Sequence, residues 1–253
     1  MDVLLGVLAT LVATYLLIAL SPWGERLRFW SVSRFGTDGI AIHVEVDPTN
    51  IASLGDDDIT RLLFAQDFHV EGLDPGALPP APPVTAGPTA LWSWGHALGG
   101  ADVIRTTVLV TLQALADTAV VVDPPRITHQ WTPCTSGITL GSAGWGRGGG
   151  IVPRRYDIRL NEESADVRYD DDLDRPPSFT LAQHDSERLL IVVDVGPGRY
   201  DWSIELPVTA DGRRTVHHID DHGRPFTTFG WLTGRTFVWW GNEGWQERST
   251  SGV

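Results

Sequence analysis

The residues best suited to metal binding or catalysis form one short segment, 217–223, which is rich in histidine and aspartate. His217, Asp220 and His222 offer imidazole and carboxylate groups, the ligand types that hold divalent metals. On a strand, however, His217 and His218 point to opposite faces, so both reach one site only if the backbone kinks. A strand that ends at Asp220 and then turns explains the same residues. We expect the turn, and keep a metal-dependent hydrolase centred on this segment as an alternative.

Tryptophan is the second candidate for a functional residue type, since the chain contains 11. Four of them crowd the C-terminus around a turn-like Gly-Asn-Glu-Gly stretch: Trp231, Trp239, Trp240 and Trp245. Exposed aromatic rings form hot spots for protein partners or stacking platforms for carbohydrates. These four residues are therefore the predicted binding surface.

Other motifs predict loops rather than sites. The glycine-rich segment 144–150 lacks the Gly-Lys-Ser/Thr ending of a phosphate-binding loop and leads into Pro153. The acidic segment 170–174 lacks the glycine and terminal glutamate of a calcium loop. Cys134 is the only cysteine, so no intrachain disulfide can form, and a lone cysteine is most often a packed residue. No catalytic residue and no cofactor is predicted.

The elements that must position these residues are β-strands. Tyr200, Trp202, Ile204 and Leu206 alternate with polar residues, which places the large side chains on one buried face. Further strand-like segments, separated by turn signals, lie at 39–46, 103–112, 118–122, 126–131, 156–160, 178–181, 188–195, 213–219 and 235–240. Short strands at near-regular spacing predict an antiparallel β-sandwich-like domain, or an open barrel, over residues 96–253.

The segments before this domain differ in composition. Residues 23–70 form a mixed segment, and residues 71–95 carry a run of prolines typical of a linker or long loop. Residues 1–22 begin with an uncharged apolar stretch from Val3 to Leu20. Eighteen helical residues reach about 27 Å, close to the thickness of a hydrocarbon core. The sequence therefore predicts a single transmembrane helix, with the lipid bilayer as its first partner.

The residues after this stretch predict the orientation of the helix in the membrane. Trp23 and Trp30 are suited to the membrane interface, and Arg26 and Arg28 lie on the same side. Because arginine-rich flanks stay cytoplasmic, we expect a single-pass protein of the cell membrane whose bulk faces the cytoplasm. The opposite orientation is left open, and it would favour an extracytoplasmic wall- or carbohydrate-binding module that uses the C-terminal tryptophans.

Composition restricts the partners. The net charge of −13 argues against nucleic-acid binding, which depends on a positive field. A hydrophobic content of 42% with 20% charged residues fits a packed globular domain.

Part of the chain resembles a known family. Residues 103–229 are similar to an uncharacterised actinobacterial family of membrane-associated, β-rich domains. The similarity is carried by 108–112, 118–122 and 199–206, and above all by the Asp-Asp-His-Gly-Arg-Pro-Phe run at 220–226. The resemblance implies a β-rich fold in which 220–225 is a structural turn, and it implies no activity. We therefore expect a non-catalytic interaction module that recruits or senses a protein partner at the membrane.

Overall fold

The structure is a computed structural model, and it describes residues 39–47, 50–51, 67–74, 78, 80–82, 87–117, 119–133, 137–142, 153–169, 178–230, 235–239 and 245–248. These ranges contain sixteen strands and the helix α1 (Gly87–Ala97). In chain order the strands are β1 (Ile40–Glu45), β2 (Phe68–Glu71), β3 (Ala101–Val103), β4 (Arg105–Ala114), β5 (Val120–Val122), β6 (Arg126–Thr132), β7 (Gly137–Ser142), β8 (Arg154–Leu160), β9 (Ala165–Tyr169), β10 (Phe179–Leu181), β11 (Ser186–Val195), β12 (Arg199–Ala210), β13 (Arg213–Ile219), β14 (Phe226–Phe229), β15 (Arg235–Trp239) and β16 (Trp245–Arg248).

The strands form two sheets, which confirms the prediction of a mostly β protein. The smaller sheet has the order β1-β4-β11-β8-β9. The larger sheet has the order β10-β5-β12-β14-β3-β2-β7-β15-β16, and β6 and β13 also pair with β12. The expectation of an antiparallel fold is corrected for three strand pairs, because β8 with β11, β3 with β14 and β7 with β15 run parallel. Parallel neighbours need a crossover connection, and each of these pairs is separated in sequence by other strands.

The prediction of an N-terminal transmembrane helix is also corrected. Among the residues that the structure describes, no helix is long and apolar enough to cross a membrane. The stretch from Val3 to Leu20 and the predicted interface residues Trp23, Arg26, Arg28 and Trp30 lie outside the described residues.

The main core lies between the two sheets. On β12 the alternation holds as predicted, since Tyr200, Trp202, Ile204 and Leu206 are each at most 1% exposed. They pack with the inward-facing residues of β4, β8 and β11 from the smaller sheet. The hydrophobic pattern of β12 therefore determines which of its faces meets the partner sheet.

Segments outside the predicted β domain contribute to this fold. In residues 23–70, β1 pairs with β4 in the smaller sheet and β2 pairs with β3 and β7 in the larger one. In residues 71–95, the helix α1 begins at Gly87, and Pro88 follows it in the first turn, where a missing N–H costs no hydrogen bond.

Helix α1 ends in a glycine-dependent cap. The Gly99 N–H donates to the His96 carbonyl, the Gly100 N–H donates to the Gly95 carbonyl, and Gly99 has a φ of 79°. This is a Schellman motif, which needs a left-handed residue just after the helix. Gly95 also allows the helix to lie against the Phe68 ring, since a Cβ there would be 2.7 Å from it. The cap therefore fixes how α1 leads into β3.

The buried Tyr156 on β8 generates a prediction about alkaline stability. Burial raises the pKa of Tyr156 from 10.0 to about 12, and the side chain is 2% exposed. The unfolded chain ionises first as the pH rises through 10, so the free energy of unfolding should fall by about 2 to 3 kcal/mol between pH 10 and 12. Denaturant unfolding at a series of pH values should show that Tyr156→Phe lacks most of this loss.

The matched control for this experiment is Tyr169→Phe. Tyr169 lies edge-on to Tyr156 with ring centroids 5.4 Å apart, but it is 39% exposed. The control variant should keep the alkaline loss of stability. An equal loss in Tyr156→Phe and Tyr169→Phe would contradict the assignment to Tyr156.

Candidate functional site

A cleft of about 630 Å³ lies where the end of α1, β3, β14 and the turn after β13 come together. Its volume is in the range of ligand pockets in proteins. The side chains that bear on its chemistry are Trp92, His96, Asp102, Arg199, His222 and Arg224.

Asp102 is the most unusual of these residues. It is the central residue of β3, where it pairs with Phe68 on one side and Thr228 on the other. Its side chain is only 7% exposed, and its Oδ1 is fully buried and accepts no hydrogen bond from the described residues. A buried carboxylate oxygen without a hydrogen bond is destabilising, so the fold keeps Asp102 at a cost.

His96 covers this carboxylate from the side of the cleft. Its Nε2 is 3.5 Å from Asp102 Oδ1, and the two atoms form no hydrogen bond. The imidazole also lies against the indole of Trp92, one helical turn earlier on α1, with ring centroids 4.2 Å apart. Trp92 Nε1 is a buried donor without an acceptor. Three polar atoms without hydrogen bonds therefore belong to residues that line one wall of the cleft.

Arg199, which also lines the cleft, donates hydrogen bonds to two carboxylates. Its Nη1 donates to Glu71 Oε2 at 2.8 Å, and its Nε and Nη2 donate to Asp201 Oδ1 at 3.2 and 3.1 Å. Thr227 Oγ1 donates to the same Asp201 oxygen at 2.7 Å. Burial lowers the pKa of Arg199, but the hydrogen bonds and the charges of Asp201 and Glu71 outweigh burial and raise it. Arg199 thus ties β12 to β2 as a permanent cation.

The turn at the rim of the cleft confirms the predicted turn after β13. Asp221 and Arg224 exchange two backbone hydrogen bonds, and the two residues between them, His222 and Gly223, have φ values of 54° and 88°. Two left-handed central residues define a type I′ turn. Asp220 Oδ1 accepts a hydrogen bond from the Gly223 N–H at 2.8 Å. The turn brings His222 to the edge of the cleft.

The three predicted metal ligands have separate contacts and do not form one site. His217 Nε2 lies 3.3 Å from Thr215 Oγ1 on β13, whereas the neighbouring His218 is exposed. Asp220 accepts a hydrogen bond within the turn, and of the three predicted ligands only His222 lines the cleft. In the part of the chain that the structure describes, no group of three or more His, Cys, Asp or Glu residues could hold a metal ion.

The predicted tryptophan surface is only partly described. Trp231 and Trp240 lie outside the described residues, as do Cys134, the glycine-rich segment and the acidic segment. Trp239 pairs with Trp245 across β15 and β16. The Trp245 ring is half-buried and stacks on Trp94 at a centroid distance of 5.6 Å, beside the small core of β2, β7 and β15. Trp245 therefore contributes to packing as well as to any surface.

Sequence reasoning missed the wall formed by Trp92, His96 and Asp102. Trp92 and His96 are four residues apart, the spacing of neighbours on one helix face, and Gly99-Gly100 follows as a helix stop signal. The prolines of 71–95 obscured this signal because they favour a linker. Nothing local marks Asp102, since β3 has only three residues and its burial comes from strands distant in sequence.

Asp102 generates a stability prediction that distinguishes it from an ordinary buried acid. Asp102→Asn removes the charge and keeps the shape, so at pH 7 the free energy of unfolding should stay level or rise by about 1 kcal/mol. The matched control Asp201→Asn should lose about 1 to 3 kcal/mol, because its carboxylate accepts bonds from Arg199 and Thr227. Urea unfolding measures both changes. A loss in Asp102→Asn as large as that in Asp201→Asn would contradict this account.

His69 on β2 is a second buried group without hydrogen bonds. It is 1% exposed, neither ring nitrogen has a partner among the described residues, and its ring lies 4.5 Å from that of Phe229. Burial lowers the pKa of His69 from 6.5, and the charge of Glu71 offsets this only in part. The folded protein therefore holds His69 neutral under conditions in which the unfolded chain takes up a proton.

Acid should consequently destabilise the protein through His69. The free energy of unfolding is unaffected by this group above pH 6.5 and falls as the pH drops from 6.5 toward the lowered pKa. His69→Leu should make the free energy of unfolding less dependent on pH in this window. His218→Leu, the same change at an exposed site, should leave the dependence as in the wild type. Parallel slopes for His69→Leu and the wild type in urea unfolding would refute the prediction.

Comparisons with known proteins suggest no function for this chain. The geometry of the cleft is therefore the basis for assigning one. No protein-family model, curated protein or solved structure matches this chain. The resemblance of residues 103–229 to the actinobacterial family therefore stays a prediction.

Proposed function

We propose that the protein is a binding module and that the cleft over Asp102 receives its ligand, either a small molecule or a polar group of a partner protein. One observation carries this proposal: the buried atoms Trp92 Nε1, His96 Nε2 and Asp102 Oδ1 all lack hydrogen bonds and belong to residues of one cleft wall. Buried polar groups in folded proteins are almost always paired. Such a cluster indicates partners that come from outside the chain.

Binding is favoured over covalent catalysis by the side chains around the cleft. The described residues that line it include no serine, cysteine or lysine. The hydroxyls of its two threonines are engaged, Thr106 with Thr228 and Thr227 with Asp201. A hydroxyl nucleophile needs an adjacent base that is free to take its proton. The Thr106 hydroxyl bonds to another hydroxyl, and the carboxylate that Thr227 contacts already accepts hydrogen bonds from Arg199. The wall instead offers acceptors and donors suited to recognition.

Charge indicates which partners the cleft would accept. Four carboxylates line it, those of Glu71, Asp102, Asp201 and Asp221, against the guanidinium groups of Arg199 and Arg224. Arg199 is already bonded to two of these carboxylates. Together with a net charge of −13, this favours a neutral or hydrogen-bond-donating partner over a phosphate-rich one.

Thermal unfolding in the presence of a chemically diverse compound library tests the proposal. A ligand at about 100 times its Kd should raise the Tm by about 5 to 10 °C. Compounds that stabilise the wild type should lose this effect in Asp102→Asn and Trp92→Ala. They should keep it in the controls Asp166→Asn and His218→Ala, which alter exposed residues on β9 and β13. Stabilising compounds that act equally on all four variants would show that the cleft is not the binding site.

A further inference from the structure

We infer that the ligand of the cleft is a saccharide whose ring takes the place of the His96 imidazole on Trp92 and whose hydroxyls bond to Asp102. This inference rests on the proposed binding function and names the ligand class for the same site. It depends on three features of the wall: a removable ring, a complementary set of unpaired atoms, and a polar rim.

The His96 ring is held in place by few interactions. It lies in the last turn of α1, its side chain is 34% exposed, and its Nε2 makes no hydrogen bond. Rotation of the side chain breaks the 4.2 Å ring contact with Trp92 and the 3.5 Å contact with Asp102, neither of which is a hydrogen bond. The same rotation uncovers an aromatic face and a carboxylate side by side. An indole face next to a carboxylate is an arrangement suited to a ring with an apolar face and hydroxyl groups at its edge.

The unpaired atoms discriminate between ligand chemistries. Asp102 Oδ1 needs a donor, and Trp92 Nε1 needs an acceptor. An ammonium or guanidinium group only donates, so it would leave the indole N–H unpaired. A phosphate or carboxylate group only accepts when ionised, and it would face the Asp102 charge. Hydroxyl groups both donate and accept, and a saccharide presents several of them around one ring.

The rim of the cleft supplies further polar groups at the same opening. Arg224 belongs to the type I′ turn, and its side chain is 79% exposed. His222 occupies the first central position of that turn and lines the cleft. The exposed Pro225 and the buried Phe226 add apolar surface to the lining. Donors and acceptors beside apolar surface match a ligand with hydroxyls along its edges.

The test uses the full chain with a panel of defined sugars. Methyl glycosides of glucose, galactose, mannose and N-acetylglucosamine, together with cellobiose, maltose and chitobiose, are screened by saturation-transfer NMR and titrated by calorimetry. Spermidine, adenine and inorganic phosphate are included as amine, planar base and anion. At least one sugar should bind, and Asp102→Asn should weaken binding of that sugar by about tenfold, since the hydrogen-bond acceptor loses its charge. Asp166→Asn should have no effect.

His96→Ala provides a second, independent readout because ring exchange predicts tighter binding when the imidazole is absent. Affinity for the sugar should be unchanged or higher in this variant, and a loss of affinity would overturn the inference. Binding of spermidine, adenine or phosphate in the cleft, with no sugar bound, would overturn the saccharide assignment and leave the binding function intact. If the compound library and the sugar panel both give no ligand that depends on Asp102, the two proposals fail together, and the unpaired atoms hold an ordered water only.

Discussion

Ile104 joins the two sheets directly after the strand that carries Asp102, so the fold of this part of the cleft includes this junction. Its φ of 70° is a left-handed conformation that a β-branched residue rarely adopts. Its N–H donates to the Phe229 carbonyl in the larger sheet, and its carbonyl accepts from the Val195 N–H in the smaller one. A single residue thus ends β3 in one sheet and starts β4 in the other. The two backbone hydrogen bonds hold a conformation that the side chain alone disfavours.

Buried polar contacts reinforce the same junction. Two residues beyond Ile104, the hydroxyl of Thr106 lies 2.6 Å from that of Thr228, which links β4 to β14 across the sheets. Trp202 Nε1 donates to the same Thr228 oxygen at 2.9 Å. These groups are fully buried and paired, so they lock the sheets in one relative position. Asp102 lies two residues before Ile104, on the strand that this junction ends.

The cleft combines two contrasting kinds of polar group. Arg199, Asp201 and Glu71 form a bonded network that stabilises the fold, whereas Asp102, His96 and Trp92 carry atoms that the fold leaves unpaired. Left-handed residues accompany the unpaired group, with Ile104 close in sequence and His222 at the rim. Strain and unpaired polar groups tend to collect at functional sites, where they are retained despite their effect on stability. The contrast between these two groups distinguishes the part of the cleft that supports the fold from the part that we propose to bind a ligand.

Local pattern in the sequence determined the long strands and one turn. The alternation along β12 predicted its buried face, the limits of β13 were predicted to the residue, and the Asp-His-Gly run predicted the turn that follows. These features depend on neighbours in the chain, which is why a sequence pattern contains them. Short strands such as β2, β3 and β14 have too few residues to show a period, and their pairing with distant strands appears only when the chain is folded.

The cleft is formed only by the tertiary structure. Asp102 is an unremarkable acid in the sequence, and it becomes buried because β2 and β14 flank it and the end of α1 covers it. Trp92 and His96 share a helix face, but whether that face meets a carboxylate depends on the glycine cap that directs α1 into β3. The sequence by itself determined the longer strands such as β12 and β13 and the apolar face of β12, because these follow from local periodicity. Which polar groups meet, and which are left without partners, depended on contacts between segments far apart in the chain.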